Sequence, residues 1–83
     1  MDIAFEPAKD ASNLAKHGVS LAAAADLAIV AVVPDDWFGG EQRYRIYGLL
    51  DGIPHCLAAV LRDGTVRAIS FRRAHSKEYN RHA

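Results

Sequence analysis

Two Asp-Gly pairs, Asp51-Gly52 and Asp63-Gly64, punctuate three segments that suit β-strands: Arg43 to Leu50, Cys56 to Leu61 and Val66 to Arg72. Asp and Gly tolerate the positive φ that a tight hairpin demands, so Asp51-Gly52-Ile53-Pro54 and Arg62-Asp63-Gly64-Thr65 read as reversals of an antiparallel meander. That meander limits the fold, because every other element must cover it or join its edges. The β-branched run Ile29-Val30-Ala31-Val32-Val33 supplies a further strand, expected to end at Pro34-Asp35-Asp36, with Trp37-Phe38-Gly39-Gly40 as a loop.

Helical signals flank this sheet. Ile3-Ala4-Phe5 reads as a short strand, and Pro7 suits the first turn of a helix, where its missing N–H costs nothing. That helix runs from about Pro7 to His17, and Gly18 ends it. Ala8, Ala11, Leu14 and Ala15 form its apolar stripe, which leaves Lys9, Asp10, Asn13 and Lys16 towards solvent. Ser20 caps a second helix, from about Leu21 to Leu27, completing a two-helix hairpin. Helical spacing resumes from Ala74 to Arg81. The order predicts an α+β fold in a single domain, 1–83: short strand, helical hairpin, antiparallel sheet of about four strands, C-terminal helix.

Eighty-three residues bury little surface, so a partner protein would add stability. The single Cys56 permits no internal disulfide, and no close pairing of His and Cys forms a zinc site. A reducing compartment, no metal and no cofactor are expected. The N-terminus lacks a basic flank followed by an apolar run, and the apolar stretch from Leu27 to Pro34 is far shorter than the ~20 residues of a membrane helix. These features point to the cytoplasm and away from the membrane.

A formal net charge of zero conceals an asymmetry. Residues 1–41 hold two lysines and seven acids, whereas 43–83 hold eight Lys and Arg and three acids. If folding gathers those cations on one face, it attracts phosphate; the alternative is that the halves neutralise each other.

Several separated motifs carry a family resemblance. Phe5-Glu6-Pro7-Ala8-Lys9, then Asn13-Leu14 and Lys16-His17-Gly18-Val19-Ser20-Leu21, resemble the opening of the BrnT family. Glu41-x-Arg43 before the strand ending in Gly48, and Arg67-x-Ile69-Ser70-x-Arg72-x-Ala74 followed by Glu78, are similar to its later blocks. Glu6 stands where Asp is common, Leu21 where Phe is common, and His82 near a frequent tyrosine; Asp35 to Gly40 matches nothing in the pattern. The resemblance implies a RelE-like fold, metal-free endoribonuclease activity that arrests translation, and neutralisation by a BrnA-like antitoxin. Operator DNA would be engaged only through that antitoxin. Oligomeric state stays open, a homodimer within the toxin–antitoxin complex being one option.

Metal-free RNA cleavage needs a group to take the 2′-OH proton, cations at the phosphorane-like transition state, and an acid for the leaving 5′-oxygen. Arg67 and Arg72 are the candidate cations, although residues of opposite parity share a face only if a bulge or strand end lies between them. His17 suits acid–base work, or else serves the helix terminus. Glu41 is a candidate base, or a local ion-pair partner of Arg43. Lys9 is a further catalytic candidate that could bind phosphate. Arg43, Arg45 and Tyr47 share a strand face that could hold a base and its phosphate, and Arg73 joins this RNA-contacting set. The general base is left unassigned. A different class also fits: a toxin-derived interaction or co-repressor module that no longer cleaves RNA.

Overall fold

A computed structural model describes residues 1–83, with every side chain except that of Phe38. Its elements are β1 (Ile3–Ala4), α1 (Pro7–His17), a 3-10 helix (Leu21–Asp26), β2 (Ala28–Phe38), β3 (Glu41–Leu50), β4 (Ile53–Arg62), β5 (Thr65–Arg73) and α2 (Ser76–His82). The sheet has five strands, ordered β1-β5-β4-β3-β2, where about four were expected. It is mixed, because β1 pairs with β5 in parallel and every other pair is antiparallel.

Three two-residue hairpins build the meander. Asp51-Gly52 and Asp63-Gly64 adopt positive φ at both positions, as the sequence predicts, and so do Gly39-Gly40. The region expected to be a loop is therefore strand and turn: β2 runs past Pro34 to Phe38, which pairs with Glu41. An edge strand tolerates proline when its missing donor faces away from the ladder, and a register shift between Pro34 and Trp37 takes up an extra residue. Gly48 is required by a close approach, since a Cβ there would collide with the backbone oxygen of Ala28.

The core lies on one face of the sheet, where Leu21, Ala24 and Leu27 pack with Ile46, Leu57, Ala59, Ala68 and Phe71. The segment expected as a second α-helix is a 3-10 helix, closed by the i→i−3 bond from Leu27 N–H to Ala24 C=O (3.1 Å). Ser20 Oγ accepts from Ala22 N–H (3.1 Å), and the carboxylate of Asp10 receives both the Ser20 hydroxyl and the Leu21 N–H at 2.8 Å. These bonds tie the 3-10 helix to α1.

Helix α1 is turned relative to the expectation. Ala8, Ala11, Leu14 and Ala15 are exposed, while Asn13 is buried. The reason is chemical. Beyond Arg67 strand β1 no longer covers β5, so the neighbouring helix meets peptide groups rather than an apolar surface. Asn13 satisfies them: its amide donates to Phe71 C=O (2.8 Å) and its oxygen accepts from Phe71 N–H (2.9 Å). A third bond, to Val19 C=O (2.8 Å), fixes the chain leaving the helix.

Candidate functional site

The sheet face opposite the core carries the cations. On β3 the alternation places Arg43, Arg45 and Tyr47 there, paired across β4 with Val60, Ala58 and Cys56. On β5, Arg72 pairs with Cys56 and Arg67 with Val60. Positions 67 and 72 share this face because the register shifts between Ala58 and Ala59: Ala58 faces Ser70 and Ala59 faces Ala68, leaving Ile69 as a bulge. The condition set by parity is thus met by the backbone.

Sharing a face does not put the two arginines in one pocket. Their partners Cys56 and Val60 are four residues apart on β4, about 13 Å at ~3.3 Å per residue. Arg72 lines an open cleft of about 680 Å³ with Arg45, Arg73, Lys16, His17 and residues of α2. Arg67 lines a smaller cleft of about 150 Å³ with Lys9, Arg43, Arg62 and Glu41. The expected catalytic set therefore divides, His17 and Arg72 at one end, Lys9, Glu41 and Arg67 at the other. Lys9, Lys16 and His17 also share a depression along α1 that lies between them.

The larger cleft holds groups that sequence spacing did not gather. His75, Arg81 and His82, all from α2 or its N-cap, line it together with Lys16. Five cations and three imidazoles face one carboxylate there, that of Glu78. Helical periodicity hints at the closeness of Glu78, Arg81 and His82 to one another, but nothing local shows that α2 folds over Tyr47 and Arg72.

Glu78 is the centre of the polar network. Its carboxylate accepts from both terminal nitrogens of Arg72, at 2.9 and 2.8 Å, and from the Tyr47 hydroxyl at 2.7 Å. The Tyr47 oxygen in turn accepts from Arg45 Nη1 (3.3 Å), and Arg45 Nε lies 3.5 Å from the Asp35 carboxylate without hydrogen-bonding to it. The Arg72 pairing holds the Glu78 carboxyl down at about 2, against desolvation that acts the other way. Burial, then the bond to Glu78, pushes the Tyr47 phenol well above its ordinary range.

Linkage gives the sign of the resulting pH dependence. A carboxyl whose folded pKa is depressed contributes stability above its unfolded value, about 4.3, and that contribution disappears as pH falls through the folded value. The melting temperature should therefore drop more steeply between about pH 5 and pH 2 in the wild type than in Glu78→Gln. Equal slopes in thermal melts followed by circular dichroism would refute the pairing.

Other expected roles change in place. Tyr47 has no exposed surface, and its ring stacks on His82 with centroids 4.9 Å apart, so it offers no face to a base in this arrangement. Glu41 pairs with Arg62 across the strands, at 2.9 and 2.6 Å, rather than solely with its neighbour Arg43. This bond lowers its pKa and makes it a weaker base. Cys56 is buried between Tyr47 and Arg72, and burial raises its thiol pKa. Among the described residues, no three of His, Cys, Asp and Glu converge to hold a metal ion, and no helix is long and apolar enough to cross a membrane.

Fold and cleft together define a small α+β protein with a cation-rich, histidine-lined surface. The family model for the ribonuclease toxin, BrnT, of type II toxin–antitoxin systems matches residues 5–78, and the chain belongs to that family. A toxin of such a system has an antitoxin as its partner. The crystal structure of the ribonuclease toxin BrnT from Brucella abortus is similar over 92% of this chain and 99% of that one, with a TM-score of 0.70 at 22% identity. At that identity the likeness establishes a shared fold. Comparison with curated protein sequences gave no match.

Proposed function

We propose that this toxin is a metal-independent endoribonuclease whose reacting phosphate sits in the Arg72 cleft, and that a BrnA-like antitoxin neutralises it. The observation that carries this reading is the convergence of Lys16, Arg45, Arg72, Arg73 and Arg81 with His17, His75 and His82 around one open cleft. Guanidinium groups match phosphate oxygens and stay charged at any relevant pH. Imidazoles can accept and return a proton near neutrality.

In the proposed step the 2′-oxygen forms a bond to the adjacent phosphorus as the bond to the 5′-oxygen breaks. The products are a 2′,3′-cyclic phosphate and a 5′-hydroxyl. One base takes the 2′-OH proton and one acid protonates the departing oxygen; His17 fills one role, and an imidazole from α2 or its N-cap the other. Lys9, Arg43 and Arg67 bind a neighbouring part of the RNA backbone about 13 Å away. Arg73 extends the phosphate contacts of the larger cleft, and Arg45 links it to Tyr47. The RelE-like relationship, action in the cytoplasm, homodimerisation within the antitoxin complex and indirect contact with operator DNA belong to the same proposal.

The test is incubation of purified toxin with RNA in excess chelator, with the new ends analysed chemically. Cyclic phosphate and 5′-hydroxyl ends that disappear in His17→Ala support the proposal. Intact RNA with folded wild type rejects it and favours the interaction-module reading. Two features fit that second reading: Glu78 already pairs with Arg72, and His82 covers Tyr47.

A further inference from the structure

We infer that Glu78 is a positioning residue that orders both guanidinium groups of the RNA cleft: Arg72 through two hydrogen bonds, and Arg45 through the Tyr47 hydroxyl and a longer ion pair of 3.9 Å. The inference rests on the nuclease reading above for the identity of the anion.

The geometry of the bonds supports it. Glu78 engages Arg72 through its two terminal nitrogens and accepts the Tyr47 proton on the oxygen shared with Arg72 Nη2. End-on engagement of a guanidinium leaves its side edge, Nε and the outer Nη2 proton, for another acceptor. Arg72 keeps about a third of its side chain exposed, whereas Glu78 keeps 18%. Both side chains line the cleft, and the arginine is the more exposed of the two. Tyr47, fully buried, fixes the second link by presenting its oxygen to Arg45 Nη1. An arginine held this way loses less side-chain entropy when phosphate arrives than one that is free in solvent.

Electrostatics alone predicts the opposite sign, which makes the inference testable. Among the described residues Glu78 is the one acid lining the cleft, so removing its charge strengthens the local positive potential and should tighten RNA binding. If Glu78 acts by ordering Arg72 and Arg45, removing it weakens binding and catalysis despite the more favourable charge.

The experiment compares wild type, Glu78→Gln, Arg72→Ala and the double variant, each checked for folding by circular dichroism. Binding is measured with an RNA oligonucleotide methylated at every 2′-oxygen, which the proposed reaction cannot cleave. Turnover is measured with its unmethylated counterpart. Glu78→Gln should bind the methylated probe about tenfold more weakly, the scale of one charge-assisted hydrogen bond. It should also lower kcat about 10²-fold, as misplacement by an ångström does. In the Arg72→Ala background the same change should have a smaller effect, because the group it holds directly is gone and only the link to Arg45 remains; a merely structural role would weaken both backgrounds alike. Equal or tighter binding by Glu78→Gln overturns the inference and makes Glu78 an occluding carboxylate, as do equal losses in both backgrounds or a wild type that does not bind the probe. Binding of the methylated probe without cleavage of the unmethylated one rejects the nuclease reading, while the binding comparison still decides the role of Glu78. If Glu78→Gln fails to fold, Tyr47→Phe tests the link to Arg45, with a smaller loss expected and unchanged or tighter binding counting against the inference.

Discussion

Replacing Asn13 by Leu should cost about 3 kcal/mol and lower the melting temperature by roughly 15 °C, although the change puts an apolar side chain of similar size into a buried place. Asn13 is 4% exposed and makes three bonds to peptide groups. Leucine removes all three and leaves the Phe71 N–H and C=O facing a hydrocarbon, where each unpaired group costs about 1–3 kcal/mol. The control is Leu14→Ser, one residue away on the exposed side of α1, which should change stability by about 0.5 kcal/mol or less. Urea denaturation of the two variants checks both. A tolerated Asn13→Leu with a damaging Leu14→Ser would mean that α1 packs through its alanine and leucine stripe after all.

Arg72→Ala should reduce RNA cleavage by about 10²–10³-fold, the loss typical when a preorganised donor to a developing oxyanion is removed. Lysine should restore little, because one ammonium cannot both satisfy the Glu78 carboxylate end-on and present a second edge to phosphate. Arg67→Ala, at the other cleft, should act mainly on KM, since it lies about 13 Å along the sheet from the proposed chemistry. Initial rates over a range of RNA concentrations separate the two effects. A folded Arg72→Ala variant with near wild-type kcat would remove the cleft from the reaction.

The hairpins at Asp51-Gly52 and Asp63-Gly64 were legible because those residues accept the required φ without help from elsewhere. Gly39-Gly40 has the same backbone, yet Pro34 and two acids upstream made a strand there hard to read; only the edge position of β2 shows why it is tolerated. The orientation of α1 departs from its sequence pattern for a related reason. Periodicity finds the apolar stripe, but α1 meets the peptide groups of Phe71 at the edge of β5, and only the tertiary arrangement discloses that. The arginines and His17 were visible as chemistry. The bulge at Ile69, which brings Arg67 and Arg72 to one face, has no local signature, and neither does the folding of α2 that delivers Glu78, His75 and His82.

The amide of Asn13 has one more consequence. By engaging the peptide groups of Phe71 on β5, and with β1 only two residues long, it blunts one side of the sheet, whereas β2, interrupted by Pro34, forms the longer edge on the other. A sheet with one long border offers extended strand pairing on that side only: two molecules joined there would leave just the two-residue edges of β1 outward. The side chain that anchors the helix thus also disfavours growth into a ribbon.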